Sequence, residues 1–173
     1  MIRSGAQNSM KKISIEGLLS GASVFIGLAD HQIGLSGIKI FNTMYLLPIL
    51  IAQDILGFYG GAICLLSSSL IRGIFFSKSG LIGFLIRISF IVYMIFRKGR
   101  SEKRLKIVVS DIIGVIATLI VQFPLLFFFY RSSFGVENGF LILYSTIEDI
   151  FKLSLVVVCS RLINVKKFKE FYN

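Results

Sequence analysis

The sequence predicts an all-α integral membrane bundle of six transmembrane helices with both termini cytoplasmic, and three observations lead there. Of its 173 residues 55% are hydrophobic and only 16% charged, with a mean hydropathy of +0.82, so apolar side chains exceed what an interior needs and the excess must face lipid. The apolar residues gather into six runs close to the roughly 20 helical residues that cross a hydrocarbon core. Between the fourth and fifth runs lies Arg97–Lys106, RKGRSEKRLK, which holds six of the nineteen Lys and Arg residues. A dense basic loop of this kind is expected on the cytoplasmic side, and that assignment orients every other span.

Ile13–Ala29 is the first span: the residues before it are polar, and it lacks the small-residue cleavage site of a signal peptide. Ile38–Ala52 is short, and Gln53 and Asp54 leave only a tight turn before Ile55–Ile71, so this pair reads either as two spans or as a hairpin that dips unevenly. Pro48 and Pro124 each remove a backbone donor and predict kinks. Leu81–Phe96, Ile107–Tyr130 and Thr146–Ile163 complete the set. Residues 1–173 thus form a single membrane domain of a multi-pass cell-membrane protein. Because most basic residues fall on the cytoplasmic side of this topology, membrane orientation accounts for the net charge of +10, and no nucleic-acid partner is expected.

Depth along each span follows from the helical rise of about 1.5 Å per residue, and it sorts the polar side chains unevenly. Lys39 and Asn42 open the second span from outside, and Arg72 closes the third there. Arg87 and Gln122 lie in outer halves, while Glu148, Asp149 and Lys152 enter the last span from outside. A cation within the bilayer must face protein, water or a ligand. These groups therefore predict a polar pocket open to the exterior, walled by aromatics chosen from Phe41, Tyr45, Phe75, Phe76, Phe84 and Tyr144. For Lys152 a competing reading is neutralisation on its own helix by Glu148 and Asp149. Gly17, Gly21 and Ala22, with Ser20, Ser23 and Gly27, give the first helix small residues that let another helix approach, within this chain or on a separate subunit.

Several chemistries lack their residues. No phosphate-cradling G-x-x-x-x-G-K-[ST], no H-E-x-x-H and no G-x-S-x-G occurs, so the chain carries no familiar route to ATP hydrolysis, and any active transport needs an energising partner. Cys64 and Cys159 sit in apolar runs without partners at metal spacing; they read as apolar fillers, with no metal, cofactor or catalytic residue expected.

Gly37-Ile38-Lys39-Ile40, Leu56-Gly57 with Tyr59-Gly60-Gly61-Ala62, Leu70-Ile71-Arg72-Gly73, the basic loop and Ile150-Phe151-Lys152 together resemble the substrate-binding S components of energy-coupling factor (ECF) vitamin transporters. The resemblance covers most of the chain. It implies a six-helix subunit, not an enzyme, that captures a vitamin or related micronutrient in its outer half and docks with a transmembrane coupling subunit and two ATPases. By the same resemblance, Gly17, Gly21 and Ala22 meet the coupling subunit. Riboflavin-type members are nearest in pattern, with Lys39 and Lys152 at matching lysines. Asp149, however, stands where those members have asparagine, and Ser36 where they have proline, so thiamine, its pyrimidine precursor, folate and pantothenate stay open. Two rivals from other classes are a small multi-spanning cysteine peptidase, which needs Cys64 or Cys159 beside His31, and a membrane scaffold.

Overall fold

The computed structural model describes residues 2–32, 43–76, 80–97, 99, 102–134 and 139–163. Those residues form six helices: α1 (Ile2–Gln32), α2 (Leu46–Phe76), α3 (Gly80–Ile88), α4 (Ile91–Phe96), α5 (Arg104–Phe134) and α6 (Gly139–Leu162). Three stretches, Ser9–Ala29, Leu46–Ile74 and Arg104–Phe128, are long and apolar enough to cross a membrane, and Phe84–Phe96 is a shorter apolar helix. The distribution of side chains is compatible with a lipid surround. Ser23, Ser68, Ser69, Thr118 and Ser160 are fully buried, whereas Phe25, Ile74, Ile120 and Leu162 are each at least 69% exposed. Small residues inside let helices approach closely, and several of their hydroxyls are satisfied on their own helix, as where Thr118 donates to the Gly114 carbonyl at 2.8 Å and Ser160 to Val157 at 2.7 Å.

α2 is two helices. Gly57 has φ 82° and ψ −177°, a conformation open almost exclusively to glycine, and the chain reverses there. A straight helix would hold Tyr45 and Arg72 about 40 Å apart at the usual rise. Instead the Arg72 guanidinium lies 4.1 Å from the Tyr45 ring centroid. Near the reversal the two arms touch: a Cβ on Gly61 would sit 2.8 Å from the Cβ of Gln53, so only glycine fits. The hairpin expected from the sequence is therefore present, but its turn falls at Gly57, and Gln53 and Asp54 remain helical. Its first arm, residues 46–56, is only about 16 Å long. Expected residues 38–42 of that run lie outside the described residues.

The expectation for Pro48 needs correction. Pro48 is the third residue of α2, in the first turn, where a helix has no intrahelical partner for its N–H groups, so the proline forfeits nothing. Pro124 lies within α5, which continues as one helix on either side of it. The break in the fourth predicted span, by contrast, comes without proline: Ser89 and Phe90 form a turn between α3 and α4, and the Ser89 hydroxyl donates to the Ile86 carbonyl at 2.6 Å.

Contacts between helices fix their directions. Cys64 meets Glu16, Ser67 meets Ser20 and Arg72 meets Gly27, so α1 runs parallel to the second arm of α2. Gly73 faces Phe84 and Arg87 while Gly61 faces Met94, which makes α3 and α4 antiparallel to that arm. α5 returns alongside them, with Gln122 at Ile86 and Gly114 against Tyr93 and Phe96, and α6 comes back to set Arg161 beside Asp111. The core between them centres on Ile49, Leu50, Leu65, Phe90, Tyr93 and Val156. This up-and-down order gives the bundle two ends. The Gly57 turn, the basic stretch after α4 and the C-terminal end of α6 share one; Tyr45, Arg72 and Arg87 occupy the other.

Candidate functional site

At the end away from the basic stretch, four of the predicted pocket residues come together. Tyr45 is buried at the start of α2, its carbonyl accepting a 2.7 Å hydrogen bond from Ser23 of α1. Arg72 reaches back from the second arm of α2 over the Tyr45 ring, through space that Gly27 leaves open: a Cβ there would lie 2.5 Å from the guanidinium carbon. Arg87, from α3, passes Gly73, and Arg72, Arg87 and Asp149 all lie within electrostatic range of the Tyr45 hydroxyl.

Among the described residues, no carboxylate forms an ion pair with either arginine. Buried Nη1 of Arg72 and buried Nε and Nη2 of Arg87 meet no hydrogen-bond acceptor there. Buried guanidinium groups are ordinarily paired, because an unmet charged donor loses its hydration without compensation. With Arg72 stacked on the Tyr45 ring and Arg87 within electrostatic range of its hydroxyl, the cluster is rich in positive charge and holds donors still to be met. The stacking of Arg72 on Tyr45 is a cation–π contact that stabilises one guanidinium by about 0.5–2 kcal/mol and leaves its in-plane N–H groups available.

The remaining predicted residues behave differently. Gln122 donates its amide to the Ile86 carbonyl at 3.3 Å, next to Arg87, and so ties α5 to α3 beside that arginine. Lys152 is buried and held by Glu148 one turn earlier on α6, at 2.5 Å, which is the neutralisation on one helix face that its spacing allows. Lys39, Asn42 and Phe41 lie outside the described residues. Of the proposed aromatic walls, Phe84 lies near Gly73 and Tyr144 is exposed. On α1, Gly17 and Gly21 have nothing within 4 Å of where a Cβ would be and lie on the exposed side, with Ala22 half-buried. The close contacts within the chain are made instead by Ser20, Ser23 and Gly27.

A second polar cluster, at the opposite end, went unrecognised in the sequence. Arg97 at the end of α4 grips Asp54 through two bonds, Nε to Oδ1 at 3.2 Å and Nη2 to Oδ2 at 3.0 Å. Its Nη1 donates to the Tyr93 hydroxyl at 2.8 Å, which in turn donates to Asp111 Oδ1 at 2.9 Å. Arg161 closes the chain on Asp111 with bonds of 2.9 and 2.8 Å. Two acids, two arginines and one tyrosine thereby join α2, α4, α5 and α6 with no net charge. Arg97 and Arg161 are thus neutralised within the bundle end. One signal was available, the four-residue spacing of Tyr93 and Arg97 on a single helix face.

Cys64 is buried, with its Sγ 3.5 Å from the Glu16 carbonyl oxygen as a weak donor. No group of three His, Cys, Asp or Glu able to hold a metal occurs among the described residues.

Fold and site together define an all-helical protein whose long apolar helices suit a membrane and whose polar groups gather at two ends. Comparison with protein families, with curated proteins and with solved structures finds no match to this chain.

Proposed function

We propose that this protein is the ligand-capturing subunit of an ECF-type importer, with six membrane segments and both termini cytoplasmic. The recess at Tyr45, Arg72 and Arg87 opens outward and takes up a vitamin-like micronutrient. The observation that carries this reading is the pair of guanidinium groups, Arg72 over the Tyr45 ring and Arg87 near Gly73, whose buried N–H donors meet no acceptor among the described residues. Their charge favours a ligand with an acidic group, a carboxylate or phosphate that accepts from both arginines, and a flat body that packs against neighbouring aromatics. Lys39 and Asn42 are proposed to complete the recess, with Asp149 and Gln122 at its edge and Lys152 positioned by Glu148. Riboflavin-like compounds are the first class to test, and its phosphate ester adds the acidic group.

Inward delivery requires a transmembrane coupling subunit and two ATPases, since the chain has no nucleotide-binding motif of its own. The open side of α1 at Gly17, Gly21 and Ala22 is the proposed docking face, where a second helix would meet little obstruction.

Equilibrium binding of a panel of vitamins and their phosphate esters to the purified protein, without ATP, tests the reading. One acidic member should bind tightly. Replacing Arg72 or Arg87 with Gln should weaken it about 10- to 100-fold, the range for losing a hydrogen bond to a charged group. Equal binding by wild type and both variants would remove the recess from consideration.

A further inference from the structure

A groove of about 900 Å³ runs between α5 and α6, away from the arginine recess. It lies toward the upper end of the size range for ligand clefts. Its walls are aliphatic, with Ile112, Ile116, Val158 and Leu162 all exposed along it. The α5 residues lining it extend from Arg104 to Leu119, about 22 Å of helix. That length exceeds one leaflet of a hydrocarbon core about 30 Å thick, so it accommodates an extended acyl chain.

Charge is present only at one end. Asp111 and Arg161 line the groove there but neutralise each other. Arg104, at the mouth, is exposed and makes no ion pair among the described residues, and exposed Lys103 stands beside it. Lys106 has only a 4.0 Å contact with Glu102. An aliphatic channel ending at exposed cations is complementary to a molecule with a hydrocarbon tail and an anionic head.

We propose that the α5–α6 groove binds an anionic phospholipid, its acyl chain along the aliphatic walls and its phosphate at Arg104. In the proposed orientation this mouth meets the cytoplasmic leaflet, where anionic lipids attract juxtamembrane Lys and Arg. A bound lipid would fill the gap between α5 and α6 and stiffen their contact next to the Asp111–Arg161 pair.

Native mass spectrometry of the full chain, loaded with phosphatidylglycerol or with phosphatidylcholine of the same acyl chains, tests the inference. Wild type should retain one phosphatidylglycerol in preference to phosphatidylcholine. Arg104→Gln should lower that retention about fivefold, the effect of one cation at a charged membrane surface. Ser154→Phe, which places a bulky ring on the exposed groove wall, should abolish retention of either lipid. If Ser154→Phe does not fold, the Arg104→Gln comparison decides alone. Equal retention of the two lipids by wild type, or retention of phosphatidylglycerol unchanged in Arg104→Gln, would overturn it. So would a photo-crosslinker at Ile116 that yields a polypeptide adduct in place of lipid. Lipid selectivity is read independently of vitamin binding, so either proposal can fail without the other.

Discussion

Replacing Asp54 with leucine is expected to destabilise the bundle by about 3 kcal/mol, the low end of the penalty for removing one partner of a buried ion pair. The Arg97 side chain is 1% exposed, and both of its carboxylate bonds go to Asp54. Without them the guanidinium keeps one bond among the described residues, to the Tyr93 hydroxyl, while remaining out of water. The second variant, Asp54→Leu with Arg97→Leu, should recover most of the loss, because the desolvation cost of the cation disappears together with its pairing. Glu102→Ala is the contrast. Its partner Lys106 is 69% exposed at 4.0 Å, so the change should stay within about 0.5 kcal/mol. Loss of helical circular dichroism during titration with a denaturing detergent gives the three values on one scale. Equal stability of Asp54→Leu and wild type would mean that the charged cluster does not hold the helices together.

Gly57→Val should cost about 1–3 kcal/mol, the expense of a backbone conformation that residues with a side chain rarely adopt. Space is not the obstacle, since nothing lies within 4 Å of where a Cβ at Gly57 would be. The penalty arises from φ 82° with ψ −177° alone. Its consequence reaches the far end of the hairpin, because the reversal at Gly57 is what returns Arg72 to Tyr45. The same variant is therefore expected to weaken ligand binding at a site two dozen ångströms or so away, given about 1.5 Å per residue along the second arm. Gly17→Ala is the matched control. Gly17 is helical and open, so alanine there should be neutral or stabilising by up to about 1 kcal/mol. The same detergent titration measures both; a Gly57→Val protein as stable as Gly17→Ala would show that the turn is not held in this conformation.

These two sites also mark where sequence and structure diverge. The apolar runs foreshadow the helices well, because lipid demands long uninterrupted stretches whatever the packing. The C-terminal end of α4 and the course of α5 lie close to their expected places. The turn in α2 does not. Gln53 and Asp54 look like a turn because they are polar, yet each has a helical use: Gln53 donates to the Met94 carbonyl at 2.7 Å, and Asp54 holds Arg97. The true break needed glycine's backbone freedom, and Gly57 sits among other glycines that do packing work, such as Gly61.

The arginines teach a related lesson. Arg72 and Arg87 meet because depth along each span can be counted from the sequence, and equal depth brought them level. Arg97 and Arg161 lie where counting also expected cations, but counting cannot reveal that Asp54 and Asp111 face them from other helices. Lys152 and Glu148 were legible for the opposite reason, since both belong to one helix and four residues suffice to align them.

The orientation of the two ends is the premise shared by the recess and the groove, and labelling tests it most directly. A single cysteine placed at exposed Gly99, in a chain whose Cys64 and Cys159 are replaced by serine, can be challenged with a membrane-impermeant thiol reagent. Reaction in inside-out vesicles and none in intact cells is the predicted result. Ready labelling in intact cells would place the basic stretch outside, turn the arginine recess toward the cytoplasm and contradict capture from the exterior.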